Sequence, residues 1–427
     1  MKVVLVSFFF GGERFIGGSR AAHFAEGLRN RGHEVLVVNG KSDSIRHDKE
    51  VIPVDTISVG CIDLEAPVEI SRKVVNGFRG GVSSTSNGTD SFTKRIGLQP
   101  FRDFICFPDR FALWAPWVLI RAGRRIRKWK PDIVLSSSPP FSSHVLGMFL
   151  GKMLGLPVVL DYRDLYVDNP YSSPARWRRA LDGIFQRAVA RRISTFITNS
   201  GAMAARLEGQ LGRTTEVVFT GYRRLDPEAE SRGSGGPMFL VHTGTLYGGK
   251  RSPTGAFSAI RLLANEGIDL RFILAGDDST GLSGLVDEMG IADRVQLLGR
   301  VSSSESTALQ RRADVLVVLL WSHPSEELTM TGKVMEYIER RKPILVIGPE
   351  FAAVSRLVQD YGLGFVANSE GEVAECLRKL WVLRSENETA TRMPTRNLQE
   401  LSLENQSLVL ECILRDAVDS FRLATNA

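Results

Sequence analysis

The sequence predicts an α/β protein made of two doubly wound parallel-sheet domains in tandem. Three observations predict it. First, short continuous apolar runs alternate with helical patterns along the whole chain, as expected of parallel strands covered on both faces. Second, 427 residues are too many for one compact core of ordinary size. Third, a stretch rich in Gly, Ser and Pro at 223–237 reads as an interdomain linker, and the strand–helix pattern restarts after it.

Composition narrows the class. Hydrophobic residues are 43% and charged residues 24%, which is globular rather than disordered. The four cysteines, Cys61, Cys106, Cys376 and Cys412, form no C-x-x-C, which argues against a disulfide framework or a cysteine zinc site. The six histidines show no metal-ligand spacing. The longest apolar runs, 111–120 and around 145–160, are too short or too interrupted for a bilayer span. The N-terminus lacks a basic region and a small-residue cleavage site, so it reads as a first strand. Residues 1–222 carry 31 Lys and Arg against 20 Asp and Glu, whereas 238–427 carry 20 against 25. A basic half joined to a mildly acidic half indicates two domains with different partners.

In order, residues 3–6 form a strand, and a glycine loop follows from Gly11 to Gly18. A helix then carries Ala21, Phe24, Ala25 and Leu28 on one face and ends at Gly32. Strands are expected at 35–38, 132–136, 158–160 and 196–198. Residues 176–193 form an amphipathic helix with Trp177, Leu181, Ile184, Phe185, Ala188 and Val189 as its apolar stripe. Residues 76–97 have little to bury and read as a mobile loop, and Asn87-Gly88-Thr89 within it is a chance glycosylation match. In the second half, strands are expected at 239–242, 272–274, 295–298, 315–320, 344–347 and 365–366. Ser252 caps a helix with Pro253 at its first position, running to Gly267, and a last helix covers about 399–424.

Three loops carry chemistry. The glycine loop before the first helix could let backbone amides approach a phosphate or sugar, or it is a tight turn; it lacks a clean G-x-G-x-x-G and a P-loop lysine. The loop from Gly244 places Lys250 and Arg251 beside a helix N-terminus, as a diphosphate site needs, although two solvated charges would look the same. The segment Thr331-Gly332-Lys333-Val334-Met335-Glu336-Tyr337 follows a strand and a long loop, at the sheet edge where open α/β sheets bind ligands. Glu336 lies three residues after Lys333, on the same face, where a carboxylate can accept from the vicinal hydroxyls of a ribose. A plain Lys–Glu surface pair is the alternative. Asp277-Asp278 sits at a strand end and reads as a turn rather than a metal site. Two basic stretches, 121–130 and 176–192, the first of them just after Trp114 and Trp117, suit an anionic bilayer surface, or simply a solvated helix face. No nucleic-acid motif accompanies them.

Taken in order and spacing, these features resemble the GT-B glycosyltransferases, within them family four, and the subgroup that makes bacterial polysaccharides and lipid-linked saccharides. The resemblance covers nearly the whole chain. It includes the opening strand and glycine loop, the segment from Asp132 to Pro140, Asp161-Tyr162-Arg163-Asp164, and His242-Thr243-Gly244-Thr245-Leu246-Tyr247. It continues through Leu298-Gly299-Arg300-Val301, Ala313-Asp314-Val315 and Gly332-Lys333-Val334-Met335-Glu336-Tyr337. It implies two Rossmann-like domains facing a cleft: 1–222 for the acceptor, with helix 399–424 returning to it, and 238–398 for the nucleotide sugar. It implies a retaining transfer from a nucleotide-diphosphate sugar, UDP-linked by preference, to a saccharide or lipid-linked hydroxyl acceptor, with no metal or other cofactor. Arg251, Lys333, Arg163 and Asp164 are the expected catalytic residues. Glu336, Gly332, Thr331, Lys250, Gly244, Gly17, Gly18 and Arg300 are expected at the nucleotide sugar. One departure stands out: the first glutamate of the family's Glu-x7-Glu maps to Leu328, and Glu326 and Glu327 are out of register. A nucleotide-sugar 2-epimerase uses the same architecture, but His23 and His144 sit in no evident acid/base cluster. A noncatalytic sugar-binding scaffold would leave Lys333, Glu336 and Arg251 idle. The expected setting is cytoplasmic, with peripheral contact to the inner face of the cell membrane.

Overall fold

The computed structural model describes residues 1–11, 16–41, 54–65, 99–169, 174–226, 235–277, 279–328, 330–385 and 398–426. The loop expected at 76–97, Asn87-Gly88-Thr89, the middle of the expected linker (227–234) and Asp278 lie outside them. The chain divides into two compact units, one of Met1–Thr220 with Gln406–Ala427 and one of Gly221–Asn405.

The first unit contains β1 (Lys2–Val6), α1 (Ile16–Asn30), β2 (Glu34–Lys41), β3 (Asp55–Gly60), α2 (Gln99–Ile105), α3 (Trp114–Trp129), β4 (Ile133–Ser138), α4 (Ser142–Leu154), β5 (Val158–Tyr162), α5 (Arg176–Ala190), β6 (Thr195–Thr198), α6 (Gly201–Leu211) and β7 (Thr215–Val217). Its seven strands pair in parallel in the order β3-β2-β1-β4-β5-β6-β7. β1 is central, with Val3 opposite both Val35 and Ile133. Its β-branched residues are buried on both faces, which is why the run is continuous rather than alternating. On one face, Ala21, Phe24 and Leu28 of α1 pack with Val3 and Leu5. Leu410, Leu414, Ala417 and Val418 of the long last helix (Leu403–Asn426) complete that core.

Two features tie this unit together. Arg20 of α1 is fully buried and donates to Asp161 of β5 from Nε (3.0 Å) and Nη2 (2.7 Å), and to the Val218 carbonyl from Nη1 (2.7 Å). Ser137 donates to the same carboxylate at 2.6 Å, so the buried charge is paired and bonded. On the last helix, Glu411 accepts from Arg31 and, at 2.7 Å, from Arg415, with His33 Nε2 at 3.1 Å.

The second unit contains β8 (Met238–Thr243), α7 (Thr254–Ala264), β9 (Leu270–Ala275), α8 (Ser283–Glu288), β10 (Val295–Gly299), α9 (Ser303–Arg312), β11 (Val315–Leu319), α10 (Lys333–Glu339), β12 (Ile344–Ile347), α11 (Ala353–Asp360), β13 (Gly364–Ala367) and α12 (Glu370–Ser385). The last helix of the chain is α13. The strands again pair in parallel, in the order β10-β9-β8-β11-β12-β13. Phe257, Ile260 and Leu263 of α7 pack on Leu240, Phe272 and Val317 in one core. Both sheets thus reverse winding direction next to their central strand.

Several local expectations differ. α1 begins at Ile16, so Gly17 and Gly18 belong to its first turn rather than to the loop. A Cβ on Gly18 would meet the Gly11 carbonyl oxygen at 2.8 Å, a close backbone approach that only glycine allows. α7 starts one residue after Pro253, and Ser252 Oγ accepts from Thr254 N instead of capping further in. Residues 223–226 are not a free linker: Arg223 N donates to Glu339, and Asp226 pairs with Arg311 and Arg340. The largest difference is α5. Its buried residues are Arg178, Asp182, Gln186, Val189 and Ala190, while Trp177, Leu181 and Ile184 lie on the surface. The cause is local satisfaction of polar groups. Arg178 donates to Asp182 (2.7 Å) and to the Asp103, Cys106 and Pro108 carbonyls, so the polar stripe is the one that packs inward. Of the tryptophans near the first basic stretch, Trp114 is core and Trp117 is exposed.

Candidate functional site

In the second unit the winding reverses between β8 and β11, where a crevice at the C-terminal strand ends is expected. His242, next to last in β8, donates from Nδ1 to the Val317 carbonyl at 2.9 Å, and burial lowers its pKa to about 3. The ring is neutral and structural. The loop after β8 then runs through Gly244, and Tyr247, Gly248 and Gly249 all have positive φ. That turn returns the chain so that Arg251 N reaches the Leu246 carbonyl (3.0 Å).

Arg251 is only 8% exposed. Its Nη2 donates to Glu326 at 3.3 Å, and its guanidinium lies over the Tyr247 ring at 4.7 Å. Glu326 is buried in the short helical turn Pro324–Leu328. This partner was invisible to register counting along the sequence, because the turn rather than a strand or long helix presents it. Lys250 stands over the Trp321 ring at 4.6 Å, and Trp321 stacks on His323.

Lys333 opens α10 and crosses beneath this loop. A Cβ on Gly244 would sit 2.6 Å from Lys333 Cε and 3.3 Å from His242 Nε2, so glycine makes the room for the lysine stem. Burial lowers the Lys333 pKa, the Arg251 charge adds to that effect and Glu336 opposes it. Lys333, Arg251, Gly244 and Glu336 are therefore one electrostatic cluster. Glu336 is exposed, and its Oε2 accepts from Gln310 Nε2 at 3.3 Å. Gln310 is buried; it also donates to Thr243 (3.0 Å) and accepts from Arg340 (3.2 Å), which in turn holds Asp226 (3.1 Å). Burial pushes the Asp226 carboxyl up, but its bonds to Arg311 and Arg340 outweigh that and hold it below the usual range. A buried polar chain thus orients the carboxylate of Glu336.

Two neighbouring features complete the geometry. The amides at the start of α10 are engaged within the chain: Lys333 N with Thr331 Oγ1, Val334 N with the Thr331 carbonyl, and Met335 and Glu336 N with the Gly332 carbonyl. α10 is seven residues long with no side-chain cap at Gly332, so the cationic side chains rather than these amides supply the positive charge. Arg300, just past the end of β10, is mostly exposed and bidentate on Asp277, both bonds 2.6 Å, two strands away from β8 and the cluster.

The first unit holds a separate cavity of about 370 Å³ at the C-terminal ends of β4 and β5. Phe141 and Tyr166, stacked at 3.9 Å, supply an aromatic wall. Asp109 is bonded to Ser142 N (2.6 Å), Ser142 Oγ and Phe111 N; burial nevertheless keeps its carboxyl above the usual pKa. Glu65 accepts from Arg102 (2.7 Å) and Arg110 (3.0 Å). Asp164, with a side chain 49% exposed and 3.6 Å from Arg163, also lines the cavity. Of the residues singled out in the sequence, Asp164 lines this cavity and Arg163 does not; Glu65, Arg102 and Asp109, which also line it, are linked by no spacing. His144 is fully buried against Ser136 at 3.0 Å, with burial lowering its pKa to about 3. Among the described residues, no group of three or more His, Cys, Asp or Glu could hold a metal ion, and no helix is long and apolar enough to cross a membrane.

Comparison with known proteins agrees with this geometry. Residues 17–223 match the model of a "Glycosyl transferase 4-like domain", and 239–382 that of "Glycosyl transferases group 1". No curated protein matches the sequence. Among solved structures, a sucrose-phosphate synthase from Thermosynechococcus elongatus superposes with a TM-score of 0.66 at 14% identity, covering 98% of this chain and all of the other. WaaG, a glycosyltransferase involved in lipopolysaccharide biosynthesis, gives 0.56 at 14% identity, over 96% and 99% of the two chains. A putative UDP-N-acetylglucosamine 2-epimerase from Listeria monocytogenes gives 0.54 at 13%, over 98% and 97%. Two matched domains, two reversed parallel sheets and the neighbours they superpose on lead to one conclusion: the chain belongs to the glycosyltransferases of the GT-B fold.

Proposed function

We propose that this glycosyltransferase takes its sugar from a nucleotide-diphosphate donor, UDP-linked by preference, and passes it with retention to a saccharide or lipid-linked hydroxyl acceptor. The setting we propose is cell-surface polysaccharide or glycolipid assembly on the cytoplasmic side of an anionic membrane. The observation that carries the donor reading is the cluster of Lys333, Arg251 and Glu336 at the reversal of the second sheet. Cleavage of the donor leaves negative charge on the departing diphosphate. Lys333 and Arg251 offset that charge in a desolvated setting, where it counts most. Glu326 holds Arg251 in place, and Lys250 adds a third cation at the rim. Glu336, oriented through Gln310, accepts from the ribose hydroxyls. These cations take the role a divalent metal would play, and turnover is expected to continue in chelator. The cavity of the first unit takes the acceptor, with Asp164 as its exposed carboxylate. Retention rests on the family resemblance.

The epimerase reading is kept because an epimerase shares the fold. Mass spectrometry of reactions with a panel of nucleotide sugars separates the two. Consumption of donor without acceptor, giving an isomeric nucleotide sugar, favours the epimerase. For the site itself, Glu336→Ala should weaken nucleoside-diphosphate binding about tenfold or more, since a hydrogen bond to a charged group is worth about 1.5–3 kcal/mol. Unchanged affinity by calorimetry in the folded variant would remove the ribose assignment.

A further inference from the structure

α5 has two characters. Arg178, Arg179 and Asp182 line the cavity of the first unit. Trp177, Leu181 and Ile184, at i, i+4 and i+7, face outward, with Ile184 60% exposed. α3 repeats the pattern: Trp117 and Ile120 stand on its surface, Ile120 74% exposed. α4 packs between α3 and α5 and exposes Phe149. Three neighbouring helices on one side of the sheet thus show large apolar side chains, a pattern that a protein leaves open where something covers it. The charges beside them choose the partner. Arg121, Arg124, Arg125 and Lys128 of α3, Lys152 of α4 and Arg187 of α5 are exposed, and Arg121 lies over the Trp117 ring at 4.9 Å. The one acidic residue in the three helices, Asp182, is buried and paired. A second copy of so cationic a face would repel it, whereas anionic headgroups above acyl chains match both its charge and its apolar stripes.

We propose that α3, α4 and α5 form an interfacial face that inserts these apolar side chains into an anionic bilayer. This builds on the membrane reading above and turns a diffuse attraction into a defined contact. It also sets the substrate: the acceptor cavity lies on the inner side of α5, one helix diameter (about 10–12 Å) from the lipid. A sugar whose anchor stays in the membrane can reach it.

The test uses the full chain with vesicles of phosphatidylglycerol and phosphatidylcholine, and of phosphatidylcholine alone. The wild type should co-sediment with the anionic vesicles, and shallow brominated lipid should quench its tryptophan emission. Part of that binding should survive high salt, because insertion is not screened. Leu181→Glu with Ile184→Glu should lower partitioning about tenfold or more and abolish the salt-resistant part, with melting unchanged. Arg124→Ala with Arg125→Ala should lower only the salt-sensitive part. Binding by the double glutamate variant equal to wild type, or salt-sensitive binding without quenching, would overturn insertion while the electrostatic reading stands. No binding to anionic vesicles at low salt would overturn both. A wild type that is dimeric and becomes monomeric in the glutamate variant would assign the face to self-association instead. Nucleoside-diphosphate binding, measured on the same samples, should be unchanged; its absence in the wild type would sink the donor reading alone.

Discussion

Replacing Gly244 by alanine tests how the proposed donor site is assembled. The added Cβ would lie 2.6 Å from Lys333 Cε and 3.4 Å from Lys333 Cδ, closer than side chains tolerate. Gly244 is not in the left-handed region, so alanine strains no backbone there. The worst clash is with the far end of a flexible side chain, and the His242 ring, 3.3 Å from the new Cβ, need give by only a few tenths of an ångström, so the fold should absorb the change. The ammonium should not keep its position. If Lys333 contacts the diphosphate, Gly244→Ala loses that charge-assisted bond, about 1.5–3 kcal/mol, or roughly 10- to 150-fold in Kd. Lys333→Ala should lose a similar amount. The double variant should lose little more than either single one, because both remove the same interaction. Calorimetry with nucleoside diphosphate on the three variants reads this directly, and the melting temperature of Gly244→Ala should stay within about 3 °C of wild type. Wild-type affinity in Gly244→Ala, or additive losses in the double variant, would refute the placement of Lys333 at the ligand.

Two further outcomes follow from the first unit. Arg20→Met leaves Asp161 buried without its partner, so denaturant unfolding should show a loss of about 3–5 kcal/mol, and a loss below about 1 kcal/mol would contradict the pairing. Burial pushes the Glu411 carboxyl up, but Arg31 and Arg415 outweigh it and hold its pKa at about 2, against an ordinary 4.5. A depressed folded pKa gives stability that is complete above about pH 4.5 and is lost as pH falls toward 2. Acid titration of unfolding should therefore be less steep in Glu411→Gln over that window, and an unchanged slope would count against the clasp.

The fold was legible where the physics is local and strong. Continuous apolar runs announced β1, β11 and β12, and their parallel pairing follows from burial on both faces. β3 and β7 were missed: one is an alternating edge strand and the other has three residues. In the cluster at the reversal of the second sheet, the positions of Lys333, Glu336 and Arg251 were legible because each stands at the end of a strand–loop unit. Glu326 and Gln310 were not, because a buried partner is defined by tertiary distance rather than spacing. α5 shows the limit most clearly. Its apolar period was read correctly, yet hydrophobic period alone does not say which stripe faces inward when Arg178 and Asp182 satisfy one another and three carbonyls below.

The contribution of α13 to the first core has a consequence for the order of synthesis. Leu410 and Leu414 close over Leu5, Phe24 and Leu28, but the whole of Gly221–Asn405 is translated between them. At about 5–20 residues per second, that delay is on the order of ten to forty seconds. Through that interval the nascent first unit carries an uncovered greasy surface on α1, open to chaperones. Ribosome-arrested chains ending near residue 405 should recruit trigger-type holdases, and release should coincide with emergence of the final helix.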